Sequence, residues 1–304
     1  MKVLITGVAG FIGSNLLDYL IEHTDWEITG IDNLSTGTAL NIEGNKNNKR
    51  FTFIQQELMQ LKSVKEFDKI FHLAALPRIQ PSFELINEHI IANLVNGIHL
   101  IELMIKDNHY PRLVYSGSSA IYGTPKNIPT GENEPVDCLS PYAFQKYEYE
   151  KYLELISTRF PLNYAILRYF NPYGPRSFNP ANKFNAYSSV VGIFLNRKKN
   201  NQELLVTGDG QQKRDFIHVY DLAKANYLAS IHKDKLNTAF NIGNGSTLSI
   251  LELAKLISDK YSFVAKREGE ADITFADVAK ARKVLGWEPS HNLPDYIKKE
   301  IQSI

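Results

Sequence analysis

The segment Gly7-Val8-Ala9-Gly10-Phe11-Ile12-Gly13 constrains this chain more than any other. It follows an apolar run, Lys2 to Thr6, that reads as a buried parallel strand. It opens a helical face formed by Ile12, Leu16, Leu17, Leu20 and Ile21. Glycines at such a junction permit a tight turn and let a pyrophosphate approach backbone N–H groups at the positive end of a helix. Gly13 would let the helix pack close to the strand. A second strand, Trp26 to Ile31, leads to Asp32, whose carboxylate can accept hydrogen bonds from both hydroxyls of an adenosine ribose and would repel a 2′-phosphate. No arginine stands between Asp32 and Arg50 to neutralise such a phosphate, so NAD is expected rather than NADP.

Further strands are expected at Phe51 to Ile54, Ile70 to Leu73, Leu113 to Ser116 and Tyr164 to Tyr169, with helices over 84–106 and 143–158. This alternation implies right-handed crossovers and a doubly wound parallel sheet. After Asn171-Pro172-Tyr173-Gly174-Pro175 the rhythm loosens, with short strands near Leu204 and Phe240 and helices over 249–260 and 277–284. The expectation is an α/β chain with a dinucleotide-binding domain over 1–170 and a smaller α/β substrate lobe over 171–304, one segment of which returns to the first domain. A formal net charge of +1 argues against a nucleic-acid coat or a membrane binder held by bulk charge. A single cysteine, Cys138, excludes an internal disulfide, and no zinc-type ligand cluster stands out, so no metal is expected. No apolar run approaches the roughly 18 residues of a membrane span. Gly7, Gly10 and Gly13 interrupt the only apolar stretch that could pass for a signal peptide, which makes a cytoplasmic location the expectation.

Tyr142 and Lys146 stand four apart at the start of a helix introduced by Ser140-Pro141. On a helix such residues share a face about 6 Å apart, so an ammonium can sit near the phenol and favour phenolate. The positive nicotinamide would add to this, giving a general base usable near neutral pH. Ser118 lies just past the strand ending at Ser116, where open α/β sheets bind ligands, and its hydroxyl can relay or hold a substrate proton.

Together these residues resemble the extended short-chain dehydrogenase/reductase family and, within it, the nucleotide-sugar 4-epimerases, over essentially the whole chain. The resemblance is carried by Gly7-x2-Gly10-x2-Gly13, Asp32-Asn33-Leu34-Ser35-Thr36-Gly37, His72-Leu73-Ala74-Ala75 and Tyr142-x3-Lys146. It continues through Arg168-Tyr169-Phe170-Asn171-Pro172-Tyr173-Gly174-Pro175-Arg176, Gly208-Asp209-Gly210, Arg214-Asp215-Phe216-Ile217-His218-Val219 and Leu285-Gly286-Trp287-Glu288-Pro289. It implies a Rossmann-type fold with tightly held NAD and Ser118, Tyr142 and Lys146 as the catalytic trio. The implied cofactor cleft includes Leu73, Ala74 and Ala75, with Glu57-Leu58 beside the adenine where the family usually has a shorter acid. Asn93 is implied near the nicotinamide, and Phe11, Ile12, Asn33, Ser35, Thr36, Gly37, Ser116 and Tyr169 complete the set. On the substrate side Asn171, Arg214 and Arg267 match positions that hold a nucleoside diphosphate, a role to which two guanidiniums are suited. Glu270 lies beside them. Val190 to Phe194 corresponds to the stretch that cradles uracil, although Gly192 and Ile193 replace the usual proline and basic residue.

The implied reaction is inversion of C4 of a UDP-sugar through a transient 4-keto sugar, with Tyr142 taking and returning the hydroxyl proton. Thr274 matches the position that gates the sugar's 2-substituent. A small side chain there favours UDP-N-acetylglucosamine as well as UDP-glucose. Arg78 is read as either a carboxylate holder or a surface pair. The related 4,6-dehydratases carry two carboxyls at the serine motif, where this chain has Ser118-Ser119-Ala120. A uronic acid epimerase, a 4-keto reductase, a decarboxylase or a non-catalytic dinucleotide sensor remain alternatives, though sensors commonly lose the tyrosine or lysine. Family members pair through two helices per subunit. Leu100, Leu103, Tyr147 and Leu153 on the two long helices fit such a four-helix homodimer seam.

Overall fold

The computed structural model describes residues 1–179, 189–267 and 269–303. Six strands come first: β1 (Lys2–Thr6), β2 (Glu27–Asp32), β3 (Phe51–Gln55), β4 (Lys69–His72), β5 (Arg112–Ser118) and β6 (Tyr164–Tyr169). Seven follow: β7 (Pro172–Tyr173), β8 (Leu204–Thr207), β9 (Lys213–Arg214), β10 (Ile217–His218), β11 (Thr238–Ile242), β12 (Leu248–Ser249) and β13 (Tyr261–Val264). Among the described residues a seven-stranded parallel sheet runs β3-β2-β1-β4-β5-β6-β11. The strand order reverses between β1 and β4, so a crevice opens at their carboxyl ends. β11 pairs in parallel with β6, setting Phe240 opposite Leu167 and bringing a late segment of the chain onto the edge of the sheet.

Helices cover both faces because the central strands β1, β4, β5 and β6 are buried on both sides. On one face α1 (Phe11–His23) and α7 (Val219–Ile231) pack Leu16, Leu20, Leu222 and Ala225 into one core. On the other, α4 (Asn96–Asp107) and α5 (Pro141–Ser157) bury Leu100, Met104, Tyr149 and Leu153. Each such large side chain contributes about 1.5–3 kcal/mol through burial. A third core joins Phe194 of α6 (Val190–Lys199), Leu253 of α8 (Ile250–Ile257) and Ile297 of α10 (Leu293–Gln302) beneath β8.

The helix expected over 84–106 is broken. A short helix α2 (Pro81–Glu84) ends where Leu85 leaves helical geometry at φ −106°, ψ 56°. Then come α3 (Ile86–Ile90), a π-turn over Ile91–Val95, and α4. Asn93 in the π-turn explains the break. Its Oδ1 accepts from the Leu76 N–H at 2.8 Å and its Nδ2 donates to Gln145 Oε1 at 2.9 Å, tying helix and loop together. The remaining helix, α9 (Ala279–Leu285), falls where the sequence predicts one. Among the described residues no helix is long and apolar enough to cross a membrane.

Candidate active site

β1 delivers the chain to Gly7, whose φ of +73° and close approach to the Ala74 backbone (2.7 Å for an added Cβ) admit only glycine. A Cβ on Gly13 would fall 2.1 Å from the Gly7 carbonyl oxygen, so α1 packs against the turn as only glycine permits. α1 begins with no side-chain cap and no acid in its first turn. Its first N–H groups therefore face the crevice as an anion site. Asp32 sits at the far side of this turn, its Oδ2 accepting from Ala9 N–H at 2.9 Å and its Oδ1 from Leu34 N–H at 2.8 Å. Burial pushes its carboxyl up while those two N–H groups pull it back. Asn33 Nδ2 donates to both Glu57 oxygens at 3.0 and 3.1 Å, which holds the longer acid at the adenine end. An uncapped helix end, a glycine cradle and a ribose acid with no arginine among its described partners suit NAD.

The crevice widens into one cavity of about 620 Å³ that both lobes line. It brings together nearly all the candidate residues, from Gly7, Asp32 and Ala75 at one end to Asn171, Arg214, Arg267 and Thr274 at the other. Two candidates lie outside it. Asn93 is buried and committed to Leu76 and Gln145, while Ala92 and Asn96 of the same region face the cavity instead. Gly37 sits behind the glycine turn, where a Cβ would meet the Ala9 backbone at 2.8 Å.

Ser140 caps α5, accepting from Ala143 N–H at 3.2 Å with Pro141 in the first turn, and this sets Tyr142 and Lys146 over the carboxyl end of β5. Ser118 and Tyr142 both line the cavity, the serine beside the phenol. Burial raises the phenol's pKa, and Ser118 and the nearby Arg78 draw it down. Lys146 is absent from those influences, contrary to the sequence expectation. Its Nζ turns away to donate to the Ser116 carbonyl at 2.9 Å, and burial brings its pKa down to about 7 against the pull of Glu150. Sharing a helix face does not fix where a four-carbon side chain ends.

At the opposite wall Arg214 donates to Glu270 Oε2 at 3.3 Å, and Arg267 lies 3.9 Å from Glu270 Oε1. Two guanidiniums thus converge on one carboxylate, as they would on a diphosphate. Asn171 Nδ2 donates to Thr274 Oγ1 at 2.8 Å and to the Asp215 carbonyl at 2.9 Å. Val190 and Phe194 of α6 close the end of the cavity. Sequence reasoning assigned no role to Asn41, Arg197 or Phe216, which also line it, or to Arg176, which pairs with Asp18 and donates to the Asn41 carbonyl at 2.7 Å. Arg176 and Phe216 stand inside recognised segments, whereas Asn41 and Arg197 carry no motif.

A dinucleotide cradle and a Ser–Tyr pair with a neighbouring lysine, open to one cleft, define an oxidoreductase-type enzyme that uses a bound nicotinamide cofactor. The chain belongs to the NAD dependent epimerase/dehydratase family, whose model matches residues 3–243. It is 31% identical over 313 residues to UDP-glucose 4-epimerase of Mycolicibacterium smegmatis, covering 99% of this chain and 98% of that one. UDP-N-acetylglucosamine 4-epimerase from Methanobrevibacter ruminantium M1, solved with UDP-N-acetylmuramic acid, superposes with a TM-score of 0.90 at 31% identity, covering 99% and 97% of the two chains. UDP-glucuronic acid 4-epimerase from Bacillus cereus, solved with UDP-glucuronic acid and NAD, gives a TM-score of 0.90 at 28% identity and covers 99% and 98%.

Proposed function

We propose that this protein is an NAD-dependent 4-epimerase of UDP-sugars in which Ser118, Tyr142 and Lys146 form the reacting group. The observation that carries this is that Ser118, Tyr142 and Lys146 line the same cavity as the glycine cradle and the paired arginines. NAD supplies the hydride acceptor and donor when bound. Tyr142 takes the proton of the sugar 4-hydroxyl beside Ser118 and returns it after the 4-keto sugar has turned over. Lys146, held by its bond to the Ser116 carbonyl, would position the nicotinamide ribose. Arg214 and Arg267 grip the diphosphate and Asn171 lies beside it, so that remote binding energy retains the intermediate. Ser118-Ser119-Ala120 offers neither carboxyl that dehydration would need.

Substrate range follows from Thr274, which is small and tied to Asn171 and to the Asp215 N–H at 3.2 Å. That leaves room for a 2-acetamido group, so UDP-glucose and UDP-N-acetylglucosamine are both in the proposed range. The domain division at residue 170, with β11 and α7 returning to the first domain, is supported by the shared cores of sheet and helices. Leu100, Leu103 and Leu153 are buried in the chain's own core and cannot form the expected seam; a homodimer through α4, α5 and the helical segment before them is supported instead by exposed Ile90, Ile91, Phe144 and Leu155. A cytoplasmic location remains the reading of the sequence. Proton NMR of the anomeric signals, with purified protein and no added cofactor, tests the function. The galacto epimer should appear from either substrate. No change in either, with protein shown to hold NAD, contradicts epimerisation of these two sugars.

A further inference from the structure

Among the described residues that line the cavity, Arg78 is the cation without a hydrogen-bond or ion-pair partner. Each of the others has a partner: Lys146 donates to Ser116, Arg214 and Arg267 face Glu270, Arg176 pairs with Asp18, and Arg197 donates to the Glu203 carbonyl at 2.6 Å. Among the described residues Arg78 has no carboxylate and no hydrogen-bond acceptor, and the one charge-bearing group it interacts with is the Tyr142 phenol. It is also held at φ +115°, a conformation that disfavours any residue with a Cβ. The half-buried guanidinium faces the cavity without a partner, and a strained backbone adds a cost to holding it there. Arg78 therefore reads as a group whose partner arrives with the substrate.

Position selects the class of partner. The diphosphate has its own two arginines, Arg214 and Arg267, which face Glu270. Arg78 lies beside Tyr142, where the sugar ring and not the nucleotide must sit. An anion at this end has to be carried by the sugar itself. A planar guanidinium suits a carboxylate held by two parallel hydrogen bonds. We infer that Arg78 is a specificity-determining residue for a carboxylate on the sugar, and that the preferred substrate of this enzyme is an acidic UDP-sugar. This rests on the epimerase reading above. The carboxylate has two chemical sources, a uronic acid at C6 or a lactyl ether at O3, and the room left by Thr274 is compatible with the second as well as the first.

The test compares wild type with R78S and R78K on two matched pairs: UDP-glucuronic acid against UDP-glucose, and UDP-N-acetylmuramic acid against UDP-N-acetylglucosamine. Turnover is followed by NMR, and binding of each compound by calorimetry. In wild type one acid should exceed its neutral partner in kcat/KM. Loss of a charge-assisted pair should cost R78S about 10- to 100-fold on that acid, chiefly in KM and Kd, and far less on the neutral sugar. R78K should recover part of the loss. The pair that responds identifies the source of the carboxylate. Equal losses on acid and neutral sugars, with a displaced pH–rate profile, would mean that Arg78 acts only on Tyr142 and would overturn the inference. Turnover of the neutral sugars with no preference for either acid would overturn it too. Turnover of none of the four, with NAD bound, overturns instead the epimerase reading on which it depends.

Discussion

Behind the reacting groups lies a buried ion pair whose removal gives a quantitative prediction. Glu150 stands one helical turn after Lys146 on α5 and accepts from Arg168, Nη2 at 2.6 Å and Nε at 3.2 Å, with 4% and 9% of the two side chains exposed. Arg168 also donates to the Tyr122 hydroxyl at 2.7 Å, and Tyr122 donates onward to Asn241 Oδ1 at 2.7 Å. Substituting Glu150→Gln leaves a guanidinium charged and uncompensated in the core, a loss of about 3–5 kcal/mol. For a chain of this size each kcal/mol moves the melting temperature by about 2 °C or more, so E150Q should melt on the order of 10 °C below wild type. A second effect reaches the active site, because the Glu150 charge is what opposes the depression of the Lys146 pKa. E150Q should therefore lower that pKa further below about 7 and shift the pH–rate profile as well. Differential scanning calorimetry and a pH series of epimerisation rates read the two effects separately. E150M/R168M, which removes both charges, should recover most of the lost stability but not the profile. E150Q melting together with wild type would refute the reasoning about the pair.

Three further outcomes follow from the same geometry. Gly13→Ala places a Cβ 2.1 Å from the Gly7 carbonyl oxygen, so it should cost about 1–3 kcal/mol or more and yield protein without NAD, read by chromatography of the denatured enzyme. Lys146→Met should lower turnover by at least about 100-fold while raising stability by about 1–3 kcal/mol. The lysine has a folded pKa of about 7 against an ordinary 10.5, so the unfolded chain binds more protons between those values. Its cost is full below about pH 7 and fades as pH rises, so the gain of K146M should be larger at about pH 6 than at about pH 9 in urea titrations. Glu270→Gln frees Arg214 and Arg267 from a half-exposed competitor and should tighten UDP binding about 2- to 5-fold by calorimetry. Weaker binding would show that Glu270 itself contacts the nucleotide.

Legibility of the sequence followed the physics of burial. Lys2–Thr6 and Tyr164–Tyr169 agree with expectation to the residue, because buried parallel strands are continuous apolar runs, and α1 falls on the expected helical face. α7 was missed for the opposite reason. Ala223, Ala225, Ala229 and Asn226 are all buried, so it is enclosed on several sides and shows no single apolar stripe. α6 and α10 are short and were missed as well. Within the site, spacing placed Tyr142 and Lys146 together on α5, but the hydrogen bond that turns Lys146 to the Ser116 carbonyl has no sequence signature. The same holds for Arg78, whose φ of +115° sets its course into the cavity. Asn93 shows the reverse case. The resemblance implies a place near the nicotinamide, and in the structure its amide bonds Leu76 and Gln145.

The central claim is that one carbon is oxidised and reduced again within a single cavity, and the fate of a label at that carbon tests it most directly. UDP-glucose deuterated at C4 should give UDP-galactose with deuterium still at C4 when the enzyme turns over in ordinary water without added cofactor, as read by NMR and mass spectrometry. Exchange of the label with solvent, at the rate of epimer formation, would contradict the account and require inversion by proton abstraction at carbon instead.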